Sequence, residues 1–151
     1  MKVNTKKRLA APLIAAFLSL FVTGTAVAAD TYYDVTVKTG WHKHAGTDSR
    51  IYITMYGVNG KSKRYRLNIP HFDDSERGQK TTYTFKSHFD LGRIKKIIVV
   101  NSYSDDSGPG WQLSYMNVGK AGRQLTHYPC NRGLTASSKT TRVLYPNRRC
   151  R

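Results

Sequence analysis

Between residues 32 and 145, apolar and polar positions alternate in short runs. In 50–56, Ile51, Ile53 and Met55 fall on one face and Tyr52, Thr54 and Tyr56 on the other. That period of two marks a half-buried β-strand. Tyr33, Val35 and Val37 alternate with Asp34, Thr36 and Lys38 in the same way, and 81–86 turns Tyr83 and Phe85 inward. The run 94–100 is apolar on both faces apart from Lys95 and Lys96, as in the central strand of a sandwich. In 111–118 the large apolar residues sit at Trp111 and Leu113, then at Met116 and Val118; that change of parity predicts a β-bulge. A basic strand or edge is predicted at 61–67, its charges opposing edge-to-edge pairing. Further strands are predicted at 123–128, ended by Pro129, and at 142–145. Gly57-Val58-Asn59-Gly60 and Leu91-Gly92 mark turns, and 101–110 reads as a long polar loop. No stretch carries a helical period. Many short strands at near-regular spacing predict an all-β, antiparallel β-sandwich.

The first residues follow a different logic. Lys2, Lys6, Lys7 and Arg8 precede an apolar run over 9–22, and Ala26-Val27-Ala28 is a small-x-small cleavage site. This is the grammar of a secretory signal peptide of the bacterial kind, predicted to be removed as 1–28. The apolar run is shorter than the roughly 20 residues of a spanning helix. The sequence thus predicts one exported domain over 29–151, secreted or periplasmic, large enough to bury roughly two-thirds of its unfolded surface.

Charge narrows the partners. Residues 1–28 hold four of the 25 Lys and Arg and none of the nine acids, leaving 21 against 9, a net +12. Such a balance favours polyanions: anionic lipid, lipopolysaccharide, acidic glycan, nucleic acid or an acidic protein. Nucleic acid is an odd target for an exported protein, and the charge also serves solubility alone. Cys130 and Cys150 read as a disulfide in an oxidising compartment, with two free thiols as the alternative. The bond would pin the C-terminal tail, and on the chain-entropy account a loop of this size contributes about 3 kcal/mol.

The segments AGTDSRIYITMYG (45–57), ERGQ (76–79), LGRIKKIIVV (91–100), SGPGWQL (107–113) and YPCNRGL (128–134) occur in the order and spacing of a PLAT domain, which this chain resembles from about Tyr32 to Leu134. The resemblance implies an eight-stranded antiparallel β-sandwich of two four-stranded sheets. It also implies docking to membranes or to partner proteins, sometimes with calcium. The chain departs from the family in three places. Asn101-Ser102-Tyr103 stands where an Asp-Asn pair is frequent, Ser114 where an acid is frequent, and Gly133 where a Trp is frequent.

Three constellations are candidates for chemistry. Calcium takes six to eight oxygens from carboxylates, carbonyls and water. Gly46, Thr47 and Asp48 offer carbonyls and one carboxylate, and Asn101, Asp105 and Asp106 supply the rest if both loops share one end of the sandwich, a proximity the resemblance supports. With few carboxylates the expected affinity is about 10⁻⁴ to 10⁻³ M. The competing role of Asp48 and Asp105 is turn capping. Second, Trp41, His42, Lys43 and His44 form a loop suited to the water–lipid interface and to anionic headgroups; the alternative is a Trp packed back on the sandwich. As metal ligands, two histidines make no closed site. Third, cations cluster at Lys61, Lys63, Arg64 and Arg66, at Arg93, Lys95 and Lys96, and at Arg148, Arg149 and Arg151.

Catalysis has little basis. There is no G-x-S-x-G elbow, H-E-x-x-H pair or Gly-rich phosphate loop, and Asp73, Asp74 and Glu76 come with no sign of a substrate cleft. The sequence therefore predicts a non-enzymatic module for anionic membrane surfaces that requires no cofactor and takes calcium as an optional ligand. The alternative is an interaction module for an exported protein such as a lipase.

Overall fold

The computed structural model describes residues 29–102, 110–134 and 140–151. The predicted signal peptide, Asp105 and Asp106 lie outside them. Eight strands follow in order: β1 (Thr31–Thr39), β2 (Arg50–Gly57), β3 (Tyr65–Arg66), β4 (Lys80–Ser87), β5 (Ile94–Ser102), β6 (Trp111–Lys120), β7 (Thr126–Leu134) and β8 (Thr140–Leu144). They form two four-stranded sheets, ordered β4-β1-β6-β7 and β3-β2-β5-β8. All the pairings are antiparallel. The expected all-β sandwich is observed. Among the described residues no helix is long and apolar enough to cross a membrane.

The alternation read from the sequence is the alternation of burial. Tyr33, Val35 and Val37 of β1, Ile51, Ile53 and Met55 of β2, and Ile97 and Val99 of β5 are all in the core. Sheet faces closed on each other exclude water, and each large side chain so buried contributes about 1.5–3 kcal/mol. The parity change in β6 is a bulge at Ser114: Lys38 pairs with Tyr115, but Thr39 pairs with Leu113. Inserting one residue returns Met116 and Val118 to the inner face.

The polar atoms of the large aromatic residues in the core are bonded there. The Tyr128 hydroxyl donates to the Ile94 carbonyl on the opposite sheet at 2.8 Å. Trp111 Nε1 donates to Thr39 Oγ1 at 3.1 Å. Tyr33 donates to Asp90 Oδ1 at 2.9 Å and accepts from the Leu91 amide at 2.8 Å. Burial and the Asp90 charge push its pKa up to about 12. Cys130 and Cys150 are joined, as expected. Beside that bond the tail runs back along β8, with Val143 and Arg151 exchanging backbone hydrogen bonds of 2.8 and 3.1 Å.

Three boundaries differ from the sequence reading. Pro129 does not end its strand but pairs with Tyr115 inside β7. β7 is the sheet's edge, where a missing N–H costs no ladder bond. The same strand begins at Thr126, after a turn at 121–123, rather than at Arg123. The basic segment 61–67 contributes only Tyr65–Arg66 as strand, because Ser62 is buried and its hydroxyl takes the Met55 amide at 3.0 Å in place of a ladder bond.

Two predictions follow from this framework. A Cβ on Gly57 would lie 1.9 Å from the Leu91 carbonyl oxygen, so Gly57→Ala must move backbone. We expect a loss of about 2 kcal/mol or more in urea unfolding; an unchanged midpoint would contradict the observed approach. The second concerns Asp90, whose carboxyl is held at about 2, below its ordinary 3.8, by the Lys120 ammonium first, then by the Gly92 amide and Tyr33 hydroxyl. A depressed carboxyl stabilises the fold above its unfolded pKa and loses that contribution as pH falls through its folded one. The gap in melting temperature between wild type and Asp90→Asn should therefore be full at neutral pH and close between pH 3.8 and about 2; a gap independent of pH would refute the assignment.

Candidate functional site

The register places the loops. Lys38 pairs with Lys80, so the β1–β2 connection (40–49) and the β3–β4 connection (67–79) leave the sandwich at one end, here the upper pole. Tyr33 pairs with Lys120 and Gly57 with Ile94, so 58–64, 88–93 and 121–125 gather at the lower pole.

At the upper pole the two connections are laced together. Gly78 N donates to the Gly40 carbonyl at 2.8 Å, Gln112 N to the Ala45 carbonyl at 2.9 Å, and Lys38 Nζ to the Gly78 carbonyl. Asp74 is structural: its two oxygens accept from the Ile69 amide at 2.6 Å and from the Tyr83 hydroxyl at 3.0 Å. His44, His71 and Ser75 all have positive φ, at 61°, 63° and 73°. These are three of the five non-glycine residues in that region among the described residues, so non-glycine left-handed backbone, the costly kind, is found mostly at this pole, as it is at ligand sites.

The acids left over converge. Asp48 from the first loop and Asp73 and Glu76 from the second bring ligand oxygens within 4.8 Å of one another, all exposed. Three carboxylates in such proximity repel unless a cation neutralises them. The donor set is all oxygen, and the surrounding loop adds carbonyls and solvent access, which fits calcium. Beside the acids, a shallow cavity of about 170 Å³ is lined by Thr47, Ser49, Arg66 and Phe72.

Apolar side chains flank the acids. Trp41 is 72% exposed and Phe72 50%. Trp41 is open but not loose. The Lys38 ammonium lies 4.7 Å from its ring centroid, and a Cβ on Gly78 would come within 2.6 Å of ring carbons. It therefore packs flat on the glycine with its outer side presented to solvent. His42, Lys43 and His44 are exposed beside it. Neither histidine joins a group of three metal-ligating side chains among the described residues.

The residues singled out from sequence are thus divided. Gly46, Thr47 and Asp48 sit at the upper pole, with Thr47 buried and its Oγ1 accepting from the Ser49 amide at 3.1 Å. Asn101 belongs to β5 and is buried; its side-chain nitrogen donates to the Leu134 carbonyl at 3.4 Å, while its Oδ1 has no hydrogen-bond partner among the described residues. The basic residues form a separate surface, the outer face of β3-β2-β5-β8. There Arg64 stacks on Tyr52 at 3.9 Å and Lys96 on Tyr56 at 4.8 Å, whereas Lys63 lies 5.5 Å from the ring of Tyr65, which faces the core. Arg66, paired with Tyr52, lies toward the upper pole, whereas Lys61, bridged to Tyr56, and Lys95 lie toward the lower. Asp73 and Glu76 were missed as partners of Asp48. The usable signal was the D-D-x-E run Asp73-Asp74-Ser75-Glu76, weighed in the sequence only as a group of acids for catalysis: it follows Pro70 and precedes the strand that pairs with β1.

Comparison with known proteins agrees with this geometry. Residues 33–145 match the PLAT/LH2 domain family. The human lipoxygenase homology domain-containing protein 1 is 35% identical over 111 residues, covering 71% of this chain and 5% of that protein. The allene oxide synthase-lipoxygenase protein of Plexaura homomalla is 31% identical over 106 residues, 66% of this chain and 10% of that one. This chain therefore spans a tenth or less of those relatives. Among solved structures, a coral 8R-lipoxygenase, described with calcium activation via a C2-like domain, superposes with a TM-score of 0.64 at 31% identity, covering 76% of this chain and 17% of its own. The Clostridium perfringens alpha-toxin shares the fold, with a TM-score of 0.62 at 21% identity over 78% of this chain and 32% of its own. By the extent of the family match, this chain is a member of the PLAT/LH2 domain family.

Proposed function

We propose that the protein is a non-catalytic docking module for anionic lipid surfaces, exported from its cell, that meets the bilayer with its upper pole and uses calcium as a bridge. The observation that carries this reading is the placement of exposed Trp41 and Phe72 beside the three carboxylates Asp48, Asp73 and Glu76. Apolar side chains at the water–lipid boundary supply insertion. Bare carboxylates would be repelled by anionic headgroups, and a calcium ion held by them reverses the local sign and offers open positions to phosphate oxygens. Lys43 adds attraction of about 1 kcal/mol near an anionic surface. The coral 8R-lipoxygenase, with its calcium activation via a C2-like domain, supports the same reading.

The geometry limits which cations take part. β2 has eight residues, so a strand of that length spans about 26 Å. That is about three Debye lengths at physiological salt. Lys61, Lys95 and Lys96 are thus screened from a bilayer held by the upper pole.

A second reading, docking on an exported protein, is favoured by the outer face of β3-β2-β5-β8. Its centre is Tyr52, Tyr56, Ile98, Val100 and Val143, all half-buried, and its border is cationic. Aromatic and Arg-rich patches are typical of interface centres.

Co-sedimentation with phosphatidylglycerol vesicles tests the first reading. Binding should rise with millimolar calcium, Glu76→Gln or Asp48→Ala should remove the calcium dependence, and Trp41→Ala should weaken binding about tenfold. With an affinity near 1 mM, 10 mM calcium should also raise stability by about 1.4 kcal/mol. Vesicle binding that is absent, or untouched by Trp41→Ala, would sink the lipid reading and leave the protein surface. Calcium that changes neither binding nor melting temperature would remove the bridge.

A further inference from the structure

The lower pole holds a cleft that the docking reading does not use. It lies where the two sheets part, beneath the β6–β7 turn, and has a volume of about 310 Å³. Arg93, Lys120, Arg123, Gln124 and Thr126 line its polar side. Ile94 and Val118 form an apolar floor, with Tyr33 beside them.

Its cations are of two kinds. The Lys120 ammonium is committed to Asp90 at 2.6 Å, and Asp90 is fixed in turn by Tyr33 and by the Gly92 amide at 2.8 Å. Arg93 and Arg123 have no carboxylate partner among the described residues. The Arg93 charge is felt by the Tyr128 hydroxyl, which it pulls down against the larger effect of burial. Arg93 and Arg123 are both exposed where the sheets part. Three cations against one carboxylate leave the cleft with a net charge of +2.

We propose that this cleft binds a phosphomonoester, with the phosphate between Arg93 and Arg123 and the body of the ester over Ile94 and Val118. The charge selects the ligand. A phosphomonoester carries about −1.5 to −2 at neutral pH, whereas a carboxylate carries a single charge. A phosphodiester and a sulfate ester likewise carry only one. Guanidinium groups pair with phosphate through two parallel N–H donors each, and the Thr126 hydroxyl and Gln124 amide add neutral donors at the rim. The volume reaches the lower end of the about 300–1,000 Å³ typical of small-molecule sites, which leaves room beyond a bare ion. An apolar floor does nothing for inorganic phosphate and stabilises an ester that carries carbon. The same monoester group occurs on soluble sugar phosphates and on lipids such as phosphatidate.

Phenyl phosphate, a soluble monoester with an apolar body, is the probe. Titrated at about 0.15 M salt, where the Debye length is about 8 Å, it should bind saturably and shift the amide resonances of Gly92 and Gly119. Arg93→Gln and Arg123→Gln, both at exposed side chains, should each weaken it about tenfold, the loss expected for one charged hydrogen-bonding pair. Lys80→Gln removes the same charge from the exposed edge strand β4 and should change affinity less than about twofold. Benzoate and methyl phenyl phosphate should bind at least about tenfold more weakly than phenyl phosphate. The proposal fails if no saturable binding is found, if benzoate binds as well, or if Lys80→Gln costs as much as the arginine variants. Vesicles then separate the sources. Phosphatidate binding that Arg93→Gln weakens and Trp41→Ala spares identifies a lipid monoester; the reverse pattern identifies a soluble one. Because Trp41 is at the other pole, failure here leaves the calcium and lipid reading untouched.

Discussion

The structure depends on closing two apolar sheet faces against each other while the polar groups of the large aromatic side chains between them find partners. Side chains alternate along a strand, so each strand offers one face to the core, and what a strand must bring inside has to find a partner there. Tyr33, Tyr128 and Trp111 meet that demand. Each buries an aromatic body and passes its one polar atom to a group on another strand or loop. Two bonds between the sheets also fix the vertical position of one against the other. The Tyr128 bond to Ile94 and the Asn101 bond to Leu134 tie β5 to β7 at its two ends. With the interior so committed, chemistry is left to the poles and the outer faces.

The two outer faces differ accordingly. On β4-β1-β6-β7, polar side chains are bonded to each other: Thr36 with Thr82 at 2.8 Å, Thr84 to Asp34 at 2.7 Å, and His127 with Asn117 at 2.7 Å. That face is satisfied within itself. On β3-β2-β5-β8 the cations lie on tyrosine rings instead. A ring holds a cation in place for about 0.5–1 kcal/mol at an exposed site without neutralising it. Among the described residues, ion pairs engage only Lys86, His88 and Lys120. Surface pairs of this kind contribute little to stability. The excess positive charge is therefore available to partners instead of being used by the fold.

The sequence was most informative where one residue's neighbours decide its environment. Ile51, Ile53 and Met55 read as inward because period two needs only the strand itself, and the shift from Leu113 to Met116 revealed the Ser114 bulge for the same reason. Legibility fell where a residue's role is set by its position in the sheet. Pro129 reads as a terminator until β7 is known to be an edge. Segment 61–67 reads as a full strand until Ser62 is seen replacing ladder bonds with its hydroxyl. The carboxylate cluster is the extreme case. Asp48 and Glu76 are far apart in the chain, and only the β1–β4 register brings their loops to one pole. Asp74, adjacent to Asp73 and chemically the same, is consumed by Ile69 and Tyr83. No local pattern distinguishes those two acids.

The same register keeps the two proposed sites apart. The acids and Trp41 cap one end of strands whose other ends frame Arg93 and Arg123. Groups more than about 10 Å apart with no shared partner contribute almost independently. The poles share none: the upper cluster is laced through Gly78 and Gln112, the lower through Asp90 and Leu91. A surface held at the upper pole would leave the lower cleft facing away from it. The sandwich between them is a rigid spacer, since every strand that joins the poles is also part of the closed core. Coupling between the two ends would require an element with two alternative arrangements along the way. What joins the sites is geometry: a fixed separation and opposite directions, which suit a module that holds one ligand on the solvent side while its other end is docked on a surface.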